Sequence, residues 1–171
     1  MHIKSETIER HTLAVIVDNE PGILARIAGL FTARGYNIES LTVTDISEDD
    51  AISRITIVTS AAPRVMEQII AQLDRLVPVH KVTDLTALGP HVERELALVK
   101  VRGVGDHRIE ALRLADVYRA RVVDATTESF VFEVTGGPEK LDTFVALMRE
   151  VGLVEVARTG IVAIGRGKEA A

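Results

Sequence analysis

The chain repeats one order of elements twice, and that repeat limits the fold more than any other feature of the sequence. His11 to Val17 is rich in β-branched and apolar residues and runs into Asp18-Asn19-Glu20-Pro21-Gly22. A strand leading into a helix start is the reading, with Pro21 in the first helical turn, where a missing N–H is no loss. Ile23, Ile27, Leu30 and Phe31 then fall on one helical face, and Gly35 stops the helix. Ile38 to Ile46 alternates apolar and polar residues, Ser47-Glu48-Asp49-Asp50 makes a polar turn, and Ile52 to Thr59 alternates again. Pro63 opens a second helix with Met66, Ile69, Ile70, Leu73, Leu76 and Val77 on its apolar face. Pro78 ends it, and Val79 to Leu85 reads as a strand.

The second half gives the same series. Glu95 to Arg102 is a strand broken by Gly103-Val104-Gly105, and His107 to Ala120 is a helix expected to turn Ile109, Leu112, Ala115 and Tyr118 inward. Arg121 to Thr127 and Phe130 to Thr135 form a hairpin, Gly136-Gly137-Pro138 starts a helix carrying Leu141, Phe144, Val145, Met148 and Val151, and Leu153 to Ile164 closes as one strand. Gly89-Pro90 breaks both periods between the halves. The expected organisation is therefore a domain at 11–87, a second at 95–164, and a flexible tail at 165–171. A βαββαβ order makes the class α+β: two tandem ferredoxin-like domains, each a four-stranded antiparallel sheet with two helices on one face.

Composition narrows the function. Of 171 residues, 47% are hydrophobic, enough for packed cores. Domains of roughly 80 residues bury only about 60–65% of their unfolded surface, which makes pairing with another chain plausible. The net charge of −5 argues against a nucleic-acid partner. The absence of cysteine removes disulfides, thiol nucleophiles and thiolate metal ligands. Met1 to Glu6 has no apolar stretch of a signal peptide, and no run is long enough to span a membrane, so a cytoplasmic protein is expected.

Catalytic patterns are missing. There is no Gly-x-Ser-x-Gly elbow. His2, His11, His80, His91 and His107 form no metal-ligand spacing on one helix face. Glu48-Asp49-Asp50 lacks the spaced ligands of a calcium loop and reads as a solvated turn, with a hard cation as the alternative. An RNA-binding module of this fold would show aromatics on its central strands, and the first domain has none there. Phe130, Phe132 and Val134 read as core. A phosphate-binding cradle after the first strand would not carry Asp18 and Glu20.

That same loop suits a zwitterion. Free N–H groups at a helix start attract a carboxylate, Gly22 leaves the approach to the backbone open, and Asn37 offers both a carbonyl and an amide. The residues also fit a plainer reading, in which Asn19 or Glu20 caps the helix and Asn37 fills a turn.

Asn19 to Phe31, Arg34-Gly35-Tyr36-Asn37-Ile38-Glu39-Ser40-Leu41, Ser53 to Ile57, His91 to Val101, Gly137 to Leu141 and Val154 to Gly160 together resemble the regulatory small subunits of acetolactate synthase (acetohydroxyacid synthase), whose first domain is an ACT domain. The resemblance spans nearly the whole chain. It implies a non-catalytic subunit, holding no cofactor itself, that pairs as a homodimer and activates a large catalytic subunit. That partner would carry thiamine diphosphate, Mg²⁺ and FAD. It further implies feedback inhibition by valine, with Asn19, Gly22, Ile23, Leu24, Asn37 and Ile38 lining the effector site. One methylene changes affinity in an apolar pocket by only about 1–3 kcal/mol, so leucine and isoleucine are candidates as well. The competing expectation is a free-standing ferredoxin-like enzyme using the same cleft.

Overall fold

A computed structural model describes residues 7–171; residues 1–6, His2 among them, lie outside it. The chain forms two compact units: one takes the residues up to Val92 together with Ile161–Ala171, the other Glu93–Gly160.

In the first unit, β1 (Glu9–Asp18), α1 (Ile23–Ala33), β2 (Ser40–Asp45), β3 (Ile52–Ala61), α2 (Pro63–Asp74) and β4 (Val79–Asp84) follow the expected order. The strands lie as β2-β3-β1-β4, all neighbours antiparallel. Alternation sends Leu13, Val15 and Val17 of β1 and Ile55 and Ile57 of β3 to one face. There they bury against Ile23, Ile27 and Phe31 of α1 and Met66, Ile69 and Leu73 of α2. Pro63 takes the first helical position of α2. That helix ends at Asp74, earlier than its apolar pattern suggested, and Val77 is 95% exposed. Pro78 disfavours helical backbone at the residue before it, so 75–78 form a turn, with Leu76 N–H on Leu73 O and Val79 N–H on Leu76 O.

β4 also stops one residue early. The Asp84 carboxylate accepts from the N–H groups of Thr86 and Ala87 and caps a one-turn helix, α3 (Leu85–Leu88).

The second unit begins within β5 (His91–Arg102) and continues through α4 (Asp106–Val117), β6 (Arg121–Ala125), β7 (Ser129–Gly136), α5 (Pro138–Val151) and β8 (Leu153–Arg158). Its order is β6-β7-β5-β8, with a further short strand, β9 (Val162–Gly165), also pairing β5. Ala97, Val99, Val101, Phe130, Phe132 and Val134 face Leu141, Phe144, Val145, Met148 and Val151 in the core. The rings of Phe132 and Phe144 meet edge to face at 6.4 Å.

Two expectations are corrected in this half. Ile109 and Leu112 of α4 are exposed; the residues it buries are Ala111 and Ala115. Three phenylalanines already fill the space beneath α4, so small residues meet them there, and the Arg108 guanidinium covers the Phe130 ring at 4.0 Å. The strand expected from Leu153 to Ile164 is in fact two. Thr159 closes β8 with its N–H on Leu96 O, and Gly160, at φ 86°, turns the chain in a conformation that favours glycine.

Beyond that turn, Ile161–Ala171 belongs to the first unit rather than the second. Residues 165–171 are expected to form a flexible tail, and two of them make contacts. Arg166 N–H bonds Pro90 O, and Ala171 packs on a small cluster of Ala14, Leu85 and Ala163.

Candidate functional site

The loop joining β1 to α1 is held from both sides by backbone. Asp18 N–H donates to Pro78 O and Asn19 N–H to Ala51 O, each at 2.8 Å. Asn19 Nδ2 donates to Asp50 O at 2.8 Å, so this side chain ties the loop to the β2–β3 turn. It does not cap α1: the N-cap position is Gly22, and among the described residues no side-chain cap bond is made there. In the first turn of α1, Ile23 N–H donates to Glu20 O at 3.3 Å and Arg26 N–H to Gly22 O at 3.0 Å, which leaves the N–H groups of Leu24 and Ala25 as the ones a helix start does not satisfy internally. Gly22 precedes them at φ 89°, with open space where a Cβ would stand. Leu24, 42% exposed, sits beside that space, whereas Ile23 is turned into the core. Arg26 reaches back to Glu20 at 3.2 Å, and His80 Nε2 meets Asp18 Oδ1 at 2.6 Å.

Asn37 follows the left-handed Gly35 beyond the far end of α1. Its carbonyl accepts a 2.6 Å bond from Thr59 Oγ1, while its exposed side chain makes no hydrogen bond among the described residues. Ile38 packs partly buried against the core. Of the six residues expected to line a site, then, Gly22, Leu24 and Asn37 present themselves to solvent. Ile23 and Ile38 support them from the core, and Asn19 fixes the loop. Sequence reasoning passed over Thr59, although it stands where the alternation Ile55, Ile57 calls for a third apolar residue.

The geometry also separates the halves of the site. α1 has 11 residues, hence a length of about 16 Å, and Gly22 and Asn37 lie beyond its opposite ends. One free amino acid cannot touch both within a single chain.

The acidic turn is a local structure. Asp49 Oδ1 accepts from Ala51 N–H, and the Ser47 side chain followed by that backbone bond holds the Asp49 carboxyl below its ordinary value. Among the described residues no group of three or more His, Asp or Glu is placed to hold a metal ion. None of their helices is long and apolar enough to cross a membrane.

Two ferredoxin-like domains in tandem, the first with an uncapped helix start beside an open glycine, define an ACT-type protein. Residues 13–81 match the family model of the AHAS small subunit-like ACT domain, and residues 94–167 match that of the small subunit of acetolactate synthase. The chain is 48% identical to a protein of Archaeoglobus fulgidus named "Probable acetolactate synthase small subunit", over 94% of this chain and 99% of that one. It is 43% identical to the acetolactate synthase small subunit of Haemophilus influenzae, over 94% and 98%. The crystal structure of the small subunit from Thermotoga maritima superposes with a TM-score of 0.85 at 38% identity, covering 94% of this chain and 99% of that one. The chain belongs to the family of acetolactate synthase small subunits.

Proposed function

We propose that this protein is the regulatory subunit of a cytoplasmic acetolactate synthase in branched-chain amino-acid biosynthesis. It raises the activity of a large catalytic subunit that carries thiamine diphosphate, Mg²⁺ and FAD, and it confers feedback inhibition by valine. The observation that carries this reading is the match of both domains, in order, to the two family models of such subunits.

In this reading the effector site is shared between two copies of the chain. The loop Asn19–Gly22 of one copy and Asn37 of the other come together, because α1 keeps them about 16 Å apart within one copy. The valine carboxylate takes the free N–H groups of α1 above Gly22, its side chain lies on Leu24, and Asn37 of the second copy holds the polar end. Asp18 and Glu20 favour the ammonium. Binding across the seam stabilises the dimer by linkage.

The test uses the purified chain with and without its catalytic subunit. Alone it forms no acetolactate from pyruvate. Added to the catalytic subunit it raises turnover several-fold, and valine reverses the gain. Turnover by the isolated chain, or a complex indifferent to valine, leucine and isoleucine alike, contradicts the reading.

A further inference from the structure

The first sheet has a second face, opposite its helices. Register and alternation place Thr12, Ala14 and Ile16 of β1, Arg54, Thr56 and Val58 of β3, and Ser40 and Thr42 of β2 on it. In a plain two-layer domain this face is wet. Here Thr12 is 0% exposed, Ala14 1%, Thr56 3% and Val58 1%. The cover is α3 and the returning segment after Gly160, through the cluster of Ala14, Leu85 and Ala163.

That segment is gripped by named side chains. Ile161 N–H donates to Ser40 Oγ at 2.8 Å, and Ile161 O accepts from Thr42 Oγ1 at 2.9 Å. The Arg54 guanidinium donates to Ala163 O at 2.8 Å. An apolar contact alone would let a strap slide. Two hydroxyls on the N–H and C=O of one residue fix it along β2, and a charged donor fixes it again two residues on. Ser40 opens β2, three positions after Asn37. At its other end the strap joins Gly160 and β8 of the second unit.

We propose that Ile161–Ala163 is the coupling strap of the regulatory device, with Ser40, Thr42 and Arg54 as the positioning residues that hold it. The proposal rests on the effector reading above. When an amino acid engages Asn37, the start of β2 changes position. The strap follows because its backbone is bonded to β2, and the change passes through Gly160 into β8. Coupling of this kind is reciprocal: the second unit, held by a catalytic partner, biases the effector site through the same bonds.

The experiment compares wild type with Ser40→Ala/Thr42→Val and with Arg54→Met, each assembled with the catalytic subunit. Calorimetry reads valine binding, and acetolactate formation is read with no valine and at saturation. The strap variants are expected to bind valine within about threefold of wild type. They still activate the catalytic subunit, and the inhibition at saturating valine falls by at least about fivefold. Full inhibition in the variants overturns the proposal. So does joint loss of binding and inhibition, which would make these residues part of the site itself. A wild-type complex that binds no branched-chain amino acid overturns the effector reading, and the strap's role with it. Hydrogen exchange on the wild-type complex is independent of how well any variant folds. The Ile161 amide gains protection when valine is added, and unchanged exchange there overturns the strap.

Discussion

Thr59 Oγ1 donates to the carbonyl oxygen of Asn37, fixing the backbone of that residue while its side chain stays free. A group placed this way is pre-organised to receive a ligand, because ordering it costs little on binding. Asn37→Ala is therefore expected to weaken valine inhibition without lowering activation. The loss is about 1–3 kcal/mol if the abandoned ligand groups are buried in the complex, or roughly five- to 150-fold in the valine concentration needed. Thr59→Val should produce a smaller shift in the same direction. Acetolactate formation against valine concentration reads both.

Gly22 supplies a sharper contrast. Its φ of 89° makes any side chain strained, yet a Cβ there meets nothing within 4 Å. Gly22→Ala carries the strain alone, about 1 kcal/mol. Gly22→Asp adds a charge that opposes an incoming carboxylate. Valine response is expected to survive partly in the first variant and vanish in the second, with activation of the catalytic subunit intact in both. Equal valine sensitivity in all three proteins places the effector elsewhere.

The second unit is clasped by Arg158. Its Nε and Nη2 bond the two oxygens of Glu95 at 2.8 and 2.6 Å, and Nη1 bonds Asp142 at 2.6 Å. Glu95 foremost raises the guanidinium pKa above its already high ordinary value. Because the Glu95 side chain is buried, Arg158→Ala strands a carboxylate and is expected to cost about 3 kcal/mol in chemical denaturation. Arg158→Ala/Glu95→Gln should recover part of that loss, since no charge is left behind.

Gly152 closes α5 at φ 130°, and a Cβ on it would stand 2.7 Å from the backbone oxygen of Arg102. The Arg102 N–H also bonds Gly152 O at 2.9 Å, so the two segments have no room to part. Gly152→Ala is expected to destabilise by about 2 kcal/mol or more, visible as a lower denaturation midpoint.

The pH response has a definite sign at the surface. The Lys100 bond holds the Glu155 carboxyl below its ordinary 4.5, and the Ser47 bond holds Asp49 below 3.8. A depressed carboxylate contributes fully above its unfolded value, and the contribution fades as pH falls through the folded one. Both contributions are therefore present at neutral pH and lost only in acid. NMR titration should place both midpoints below these values, and Lys100→Met should return Glu155 toward 4.5.

Strand and helix order was legible because large β-branched and aliphatic residues mark alternation and helical faces directly. The inward face of α4 was not. Ala111 and Ala115 give a weak apolar signal, and Ile109 and Leu112 on the outside give a strong one. The return of Ile161 to the first unit was hidden for a different reason. The β-branched run continues past Gly160, and local pattern says nothing about which sheet a strand joins. At the candidate site the sequence pointed to Gly22, Leu24 and Asn37, all open to solvent. It could not show that the Asn19 amide is turned to Asp50 O, since that depends on how the β2–β3 turn closes.

The first unit is discontinuous in sequence, and this bears on how the chain is made. Residues 93–160 form one compact unit that is continuous in sequence. They can close while the ribosome still holds the residues that follow. The earlier-made unit must wait, with Thr12, Ala14, Thr56 and Val58 uncovered, until 161–171 emerge. The half that begins folding first is thus the half completed last, and a ribosome stalled near codon 160 would hold out a half-covered sheet as bait for chaperones.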